Sequence, residues 1–130
     1  MSSPYNEPLI KSCEKGDVES VKLMIDKGAD INTVDNNGST PIFYACMRGY
    51  TDIARLLIDN GANLNIKNNF GSTPLMHACL QGHTGVIRLL LARGADVNTP
   101  DHNEDTPLLY ASKKGYIEIA KLLVAYGANI

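Results

Sequence analysis

The chain has 130 residues, enough for one ordinary domain and not clearly for two. Its 12 basic and 14 acidic residues leave a formal net charge of -2, which provides no field to draw in nucleic acid or an anionic membrane. No apolar run approaches the roughly 20 residues of a membrane span, and the longest, VIRLLLA, is interrupted by Arg88.

The N-terminal stretch MSSPYNEPLIKSCEKGD has no apolar signal core after its Met, so a cytoplasmic location is expected, with the nucleus as the other compartment open to it. The first predicted helix starts at Glu7-Pro8 and stops at Gly16, and a second runs on to Gly28. A polar connector, ADINTVDNNGS, follows, with Asn37-Gly38 as its turn signal. Thr40-Pro41 then reads as a new helix start. Threonine can cap the orphan amides of the first turn, and proline in the first helical position removes no bond that would form. That helix ends at Gly49. The next carries Ile53, Leu56 and Leu57, spaced three and four apart to make one buried face, and ends at Gly61. The same sentence recurs from Thr73-Pro74 through Gly82, Val86, Leu89 and Leu90 to Gly94. It recurs again from Thr106-Pro107 through Gly115 to Gly127.

These marks share one period. Pro8, Pro41, Pro74 and Pro107 are 33 residues apart, and two glycine columns keep the same phase. A helix pair of this size cannot cover its own apolar face, so neighbours must stack to make a continuous core.

The motifs GSTPIFYACMRGY, GSTPLMHACLQGH and LLLARGADVN at this period resemble the ankyrin repeat family, over about residues 6–130. The resemblance implies an all-α-dominated repeat solenoid in a single domain. It would have four units at about 6–32, 33–65, 66–98 and 99–130, the first and last acting as caps. Each unit would be a helix-turn-helix with a β-hairpin finger roughly perpendicular to it. The family's members are mostly non-catalytic protein-binding scaffolds that use the finger tips and the concave face of the first helices. Two departures stand out. The family's histidine after T-P-L is replaced by Ile10, Phe43, Met76 and Leu109, expected to be added apolar core. Glu104 stands where Gly38 and Gly71 stand; if that position needs positive φ, glutamate costs about 1–2 kcal/mol there.

Cys13, Cys46 and Cys79 share one column, with Ser112 in the fourth place. Stacked helices lie ~8–10 Å apart, too far for a disulfide, whose Cα atoms need to be within ~7 Å, so free thiols in a small-residue column are expected. A metal or redox role is the other reading, but no C-x-x-C or nearby histidine pair supports it. His83 shares a column with Tyr50 and Tyr116 and reads as packing; His102 reads as exposed. No nucleophile elbow, phosphate loop or metal-protease pair is present. The expected protein is therefore not an enzyme and takes no cofactor or metal.

The first-helix stripe that would line the concave groove is the main binding candidate. It holds Lys11, Glu14 and Lys15, then Tyr44, Met47 and Arg48, then His77, Leu80 and Gln81, then Tyr110, Lys113 and Lys114. It varies from unit to unit, and tyrosine, methionine and arginine favour interface cores. The alternative is a solvated face whose aromatics only pack along the stack. The finger tips are the second candidate: Val34, Asn36, Asn37 and Ser39; Lys67, Asn69, Phe70 and Ser72; Pro100, His102, Asn103 and Asp105. Phe70 is either an anchor for a partner or tucked onto the next finger. A basic column of Lys22, Arg55, Arg88 and Lys121 has Glu19, Asp52 and Glu118 three residues before three of its members, so it reads as an ion-paired outer face. The expected function is recognition of a protein partner by a monomer, with no nucleic-acid or membrane binding. The rival is a structural spacer or cover segment of a longer multidomain protein.

Overall fold

The computed structural model describes residues 2–130. Among these residues eight helices follow one another: α1 (Asn6–Lys15), α2 (Val18–Asp26), α3 (Pro41–Arg48), α4 (Thr51–Asp59), α5 (Pro74–Gln81), α6 (Thr84–Ala92), α7 (Pro107–Lys113) and α8 (Ile117–Ala125). They pair in order, and each pair packs on the next: α1, α3, α5 and α7 form one layer, and α2, α4, α6 and α8 the other. The result is a helical repeat solenoid.

The predicted starts hold in three of the four first helices. The hydroxyls of Thr40, Thr73 and Thr106 accept from the amides of Phe43, Met76 and Leu109 at 3.3, 3.3 and 3.2 Å. A cap of this kind is worth about 1 kcal/mol. The first helix starts earlier than expected, at Asn6, because the Ser3 hydroxyl accepts the Tyr5 amide and holds the entering turn. Pro8 therefore lies inside the first turn, where its missing donor still costs no helical bond.

The core is a set of columns running along the stack. Leu9, Ile42 and Leu75 make one, Val21, Ala54 and Ile87 another, and Cys13, Cys46 and Cys79 a third, all without appreciable exposure. The thiols are free, and burial raises all three, Cys13 and Cys79 to about 12. Ile10, Phe43 and Met76 are core, as their apolar character suggests. Leu109 departs from its column: it is 37% exposed, because among the described residues no helix pair packs on the outer side of α7 and α8.

In the connectors that leave the second helices, asparagines clamp one pair to the next. The Oδ1 atoms of Asn32, Asn65 and Asn98 accept the amides of Asn63, Asp96 and Asn129, each at 2.8 Å. Arg93, just past the end of α6, reaches back to Asp59 on α4 at 3.0 Å.

The expected β-hairpin fingers are not found: among the described residues there is no strand. Each finger is a single tight turn. In the first, the Gly38 amide donates to the Asp35 carbonyl and the Asp35 amide to the Ser39 carbonyl, both at 3.0 Å. The fingers at 68–72 and 101–105 repeat these bonds at 2.9–3.1 Å. One such closure per finger is too short to build a ladder, and the single backbone bond between fingers, Asn69 amide to Asn37 carbonyl at 2.8 Å, does not extend it.

Candidate functional site

Side chains close each finger from within. The Oδ1 of Asp35 accepts the amides of Asn37 and Ser39 at 2.9 and 3.0 Å. Asn68 does the same for Phe70 and Ser72, and Asp101 for Asn103 and Asp105. This is the short acceptor's usual role in a turn. In the first and third fingers the second carboxylate oxygen takes a further bond: Tyr44 donates its hydroxyl to Asp35, and Tyr110 to Asp101. Each finger is thereby tied to the helix it precedes.

These bonds show in the acid–base chemistry. Burial alone would raise the carboxyls of Asp35 and Asp101, but the tyrosine hydroxyls and the turn amides outweigh it and hold both below the ordinary aspartate range. The two phenols move the other way. Burial, then the adjacent carboxylate, pushes Tyr44 up, and takes Tyr110 up to about 12.

The middle finger differs. Asn68 replaces the aspartate and His77 the tyrosine, and no bond joins them. Asn68 instead donates to the Ser39 hydroxyl at 3.2 Å, and Asn69 donates from its side chain to the Asn36 carbonyl at 3.0 Å. His77 packs edge-on against Phe43 with ring centroids 4.8 Å apart, its Nδ1 is buried without a hydrogen-bond partner, and burial lowers its pKa.

All twelve residues of the first-helix stripe are half-buried or exposed; none is buried. Tyr44, Met47, His77, Leu80 and Tyr110, with Glu14, are half-buried; Lys11, Lys15, Arg48, Gln81, Lys113 and Lys114 are exposed. Lys11 and Glu14 share a cleft of about 530 Å³ with the tip residues Val34 and Asn36, so groove and finger meet there. Lys113 reaches Asp105 of the third finger at 3.8 Å. Among the tips, Val34, Asn36, Asn37, Lys67, Asn69, His102 and Asn103 are exposed, and Pro100 and Asp105 half-buried. Phe70 is 66% exposed and not tucked onto a neighbour. Ser39 and Ser72 are a correction to the tip set: both are buried, because their carbonyls close the base of their turns directly before the helix caps Thr40 and Thr73.

Histidines elsewhere pack. His83 is half-buried over Gly49 with Nε2 3.0 Å from the Met47 carbonyl oxygen; His102 is exposed but lies against Gly71. On the outer face Lys22, Arg55 and Lys121 pair with Glu19, Asp52 and Glu118 at 3.7, 3.2 and 3.7 Å. Among the described residues no three His, Cys, Asp or Glu side chains are grouped to hold a metal ion, and no helix is long and apolar enough to cross a membrane.

The aspartate–tyrosine locks are what sequence reasoning missed. A signal existed: over three repeats Asp, Asn and Asp at 35, 68 and 101 change in step with Tyr, His and Tyr at 44, 77 and 110.

The family model for ankyrin repeats, in three copies, matches residues 2–68 and again residues 60–130. The chain belongs to the ankyrin repeat family. No curated protein matches it. Ankyrin repeats are in general protein–protein interaction modules and typically non-catalytic, and the helix pairs found here are that fold without a strand in the finger.

Proposed function

We propose that this ankyrin stack recognises a protein partner, without catalysing a reaction, through the first-helix stripe and the exposed finger tips. The observation that carries the reading is the contrast between the two sides of the first helices. In the first three pairs Leu9, Ile42 and Leu75 and the three cysteines are buried and similar, whereas the twelve stripe residues vary along the stack and all reach solvent. Surface that packing leaves free, on helices fixed by packing, loses little conformational freedom when a partner arrives. Tyr44 and Tyr110 are held by Asp35 and Asp101 before any partner binds, so their rings are pre-ordered. Phe70, standing clear at its tip, supplies an aromatic contact at the groove's edge.

The test is affinity capture from lysate of the source organism with three proteins, each confirmed folded by circular dichroism. They are the wild type, a Met47→Ala/His77→Ala/Leu80→Ala variant and Phe70→Ala. The reading expects a protein held by the wild type, lost from the triple variant and weakened by Phe70→Ala. A partner retained equally by all three would move recognition to the outer face. No partner from any of them would favour a spacer or cover role.

A further inference from the structure

The tips of the first two fingers close on Gly38 and Gly71, with φ of 72° and 78°. The third closes on Glu104 with φ of 67°, the one non-glycine among the described residues in that region. Glycine answers two demands at this position. The first is the left-handed backbone. The second is room for the neighbouring finger. A Cβ on Gly38 would stand 2.5 Å from Asn69 Oδ1 and 3.2 Å from its backbone nitrogen. A Cβ on Gly71 would stand 2.5 Å from His102 Cδ2 and 2.8 Å from its backbone nitrogen. Rotating a side chain cannot relieve the 2.8 Å approach to the His102 backbone nitrogen, whereas the 3.2 Å approach at Gly38 asks the Asn69 backbone to shift by only a few tenths of an ångström. Glu104 accepts the first demand with strain and violates the second.

The helix edge of the same outer face shows the opposite. Gly16, Gly49 and Gly82 are each covered by a ring: a Cβ there would lie 2.8 Å from Tyr50, 2.6 Å from His83 and 3.1 Å from Tyr116. Gly115 keeps glycine in this column, with nothing within 4 Å. An open cleft of about 490 Å³ lies beside it, walled by Ala111, Ile117, Ala120 and Val124.

We infer that Glu104 is a register block: the outer side of the third finger rejects a further finger of this protein's own shape, while the helix edge over Gly115 stays open to a ring. The side chain acts by its Cβ, which occupies the space that the backbone of a stacked finger needs. Its charge is incidental to the block.

The inference is tested by appending a copy of residues 98–130 directly after Ile130, which keeps the 33-residue phase and lays a second His102-type residue over position 104. Glu104, Glu104→Gly and Glu104→Asn are compared in the 130-residue chain and in the extended one. The readouts are limited proteolysis at the appended finger and thermal midpoints. Asparagine tolerates the left-handed backbone yet keeps a Cβ, so it separates strain from collision. In the extended chain, Glu104→Gly is expected to slow cleavage of the appended finger about tenfold, while Glu104→Asn leaves it as fast as with glutamate. In the 130-residue chain Glu104→Gly and Glu104→Asn should both raise the midpoint by a few degrees, because each relieves the left-handed strain at position 104. Equal protection by glutamate and glycine, protection by asparagine as good as by glycine, or no protection by glycine would each overturn the block.

Discussion

The fingers at 35–39 and 68–72 have the same backbone bonds and opposite side-chain solutions. The first is tied forward, to its own helix, through Asp35 and Tyr44. The second is tied sideways, to the first finger, through Asn68 to Ser39 and Asn69 to Asn36 and Asn37. A repeat fold demands that each turn be satisfied but does not dictate by whom. The forward lock spends a charge and stiffens one pair; the sideways lock makes two fingers move as one and leaves His77 with an unpaired Nδ1 in the groove.

The largest test removes what both fingers stand on. Ile42→Ala and Leu75→Ala empty equivalent core sites beneath the two fingers, and each should cost about 2–5 kcal/mol in urea unfolding. Similar costs would show that the difference lies in the fingers alone; a large gap would extend it into the core. Next come the locks themselves. Tyr44→Phe leaves Asp35 without its donor and should destabilise by about 1–3 kcal/mol. His77→Phe, which removes an unsatisfied buried nitrogen, should be neutral or stabilising by differential scanning calorimetry. A loss at His77 as large as at Tyr44 would mean that the imidazole holds a bond in solution. Transplanting the forward lock is a finer probe. Asn68→Asp and His77→Tyr together should be coupled favourably by about 0.5–2 kcal/mol in a double-mutant cycle, because aspartate alone gives up the bond to Ser39 and tyrosine alone finds no carboxylate.

Acid and base should separate the same regions with smaller effects. His77 binds its proton less readily folded than unfolded, so stability falls as pH drops below about 6.5, and His77→Phe should flatten that limb. Asp35 and Asp101 hold their charge more readily folded, so their contribution is present above about pH 3.8 and is lost as pH falls through their folded values. Tyr44 and Tyr110 keep their protons longer folded, so stability declines as pH rises past about 10, toward 12 for Tyr110. Thermal midpoints of wild type, Tyr44→Phe and His77→Phe from pH 3 to 11 would show whether the limbs belong to these groups.

Much of the fold was legible because it is local. Threonine before proline names a cap, glycine names an end, and apolar spacing names a buried face. A period of 33 says that the pieces stack. The missing strands were not legible, since a turn flanked by polar residues looks the same whether or not its arms are long enough to pair. Ser39 and Ser72 could not be placed from sequence: their burial comes from closing a turn against a helix cap, a tertiary matter. Asp35 and Tyr44 lie nine residues apart across a turn and a helix start, a separation that no local rule brings together. Only reading the repeats against one another would have exposed them.

The cysteine column gives the molecule a consequence of its own. Cys13, Cys46 and Cys79 each belong to a different helix pair, and burial keeps all three protonated and unreactive while the stack is closed. A stack need not come apart all at once. The chain therefore carries three chemical clocks, one in each of the first three helix pairs, and the order in which their sulfurs become available to an alkylating reagent records where along its length the molecule opens first.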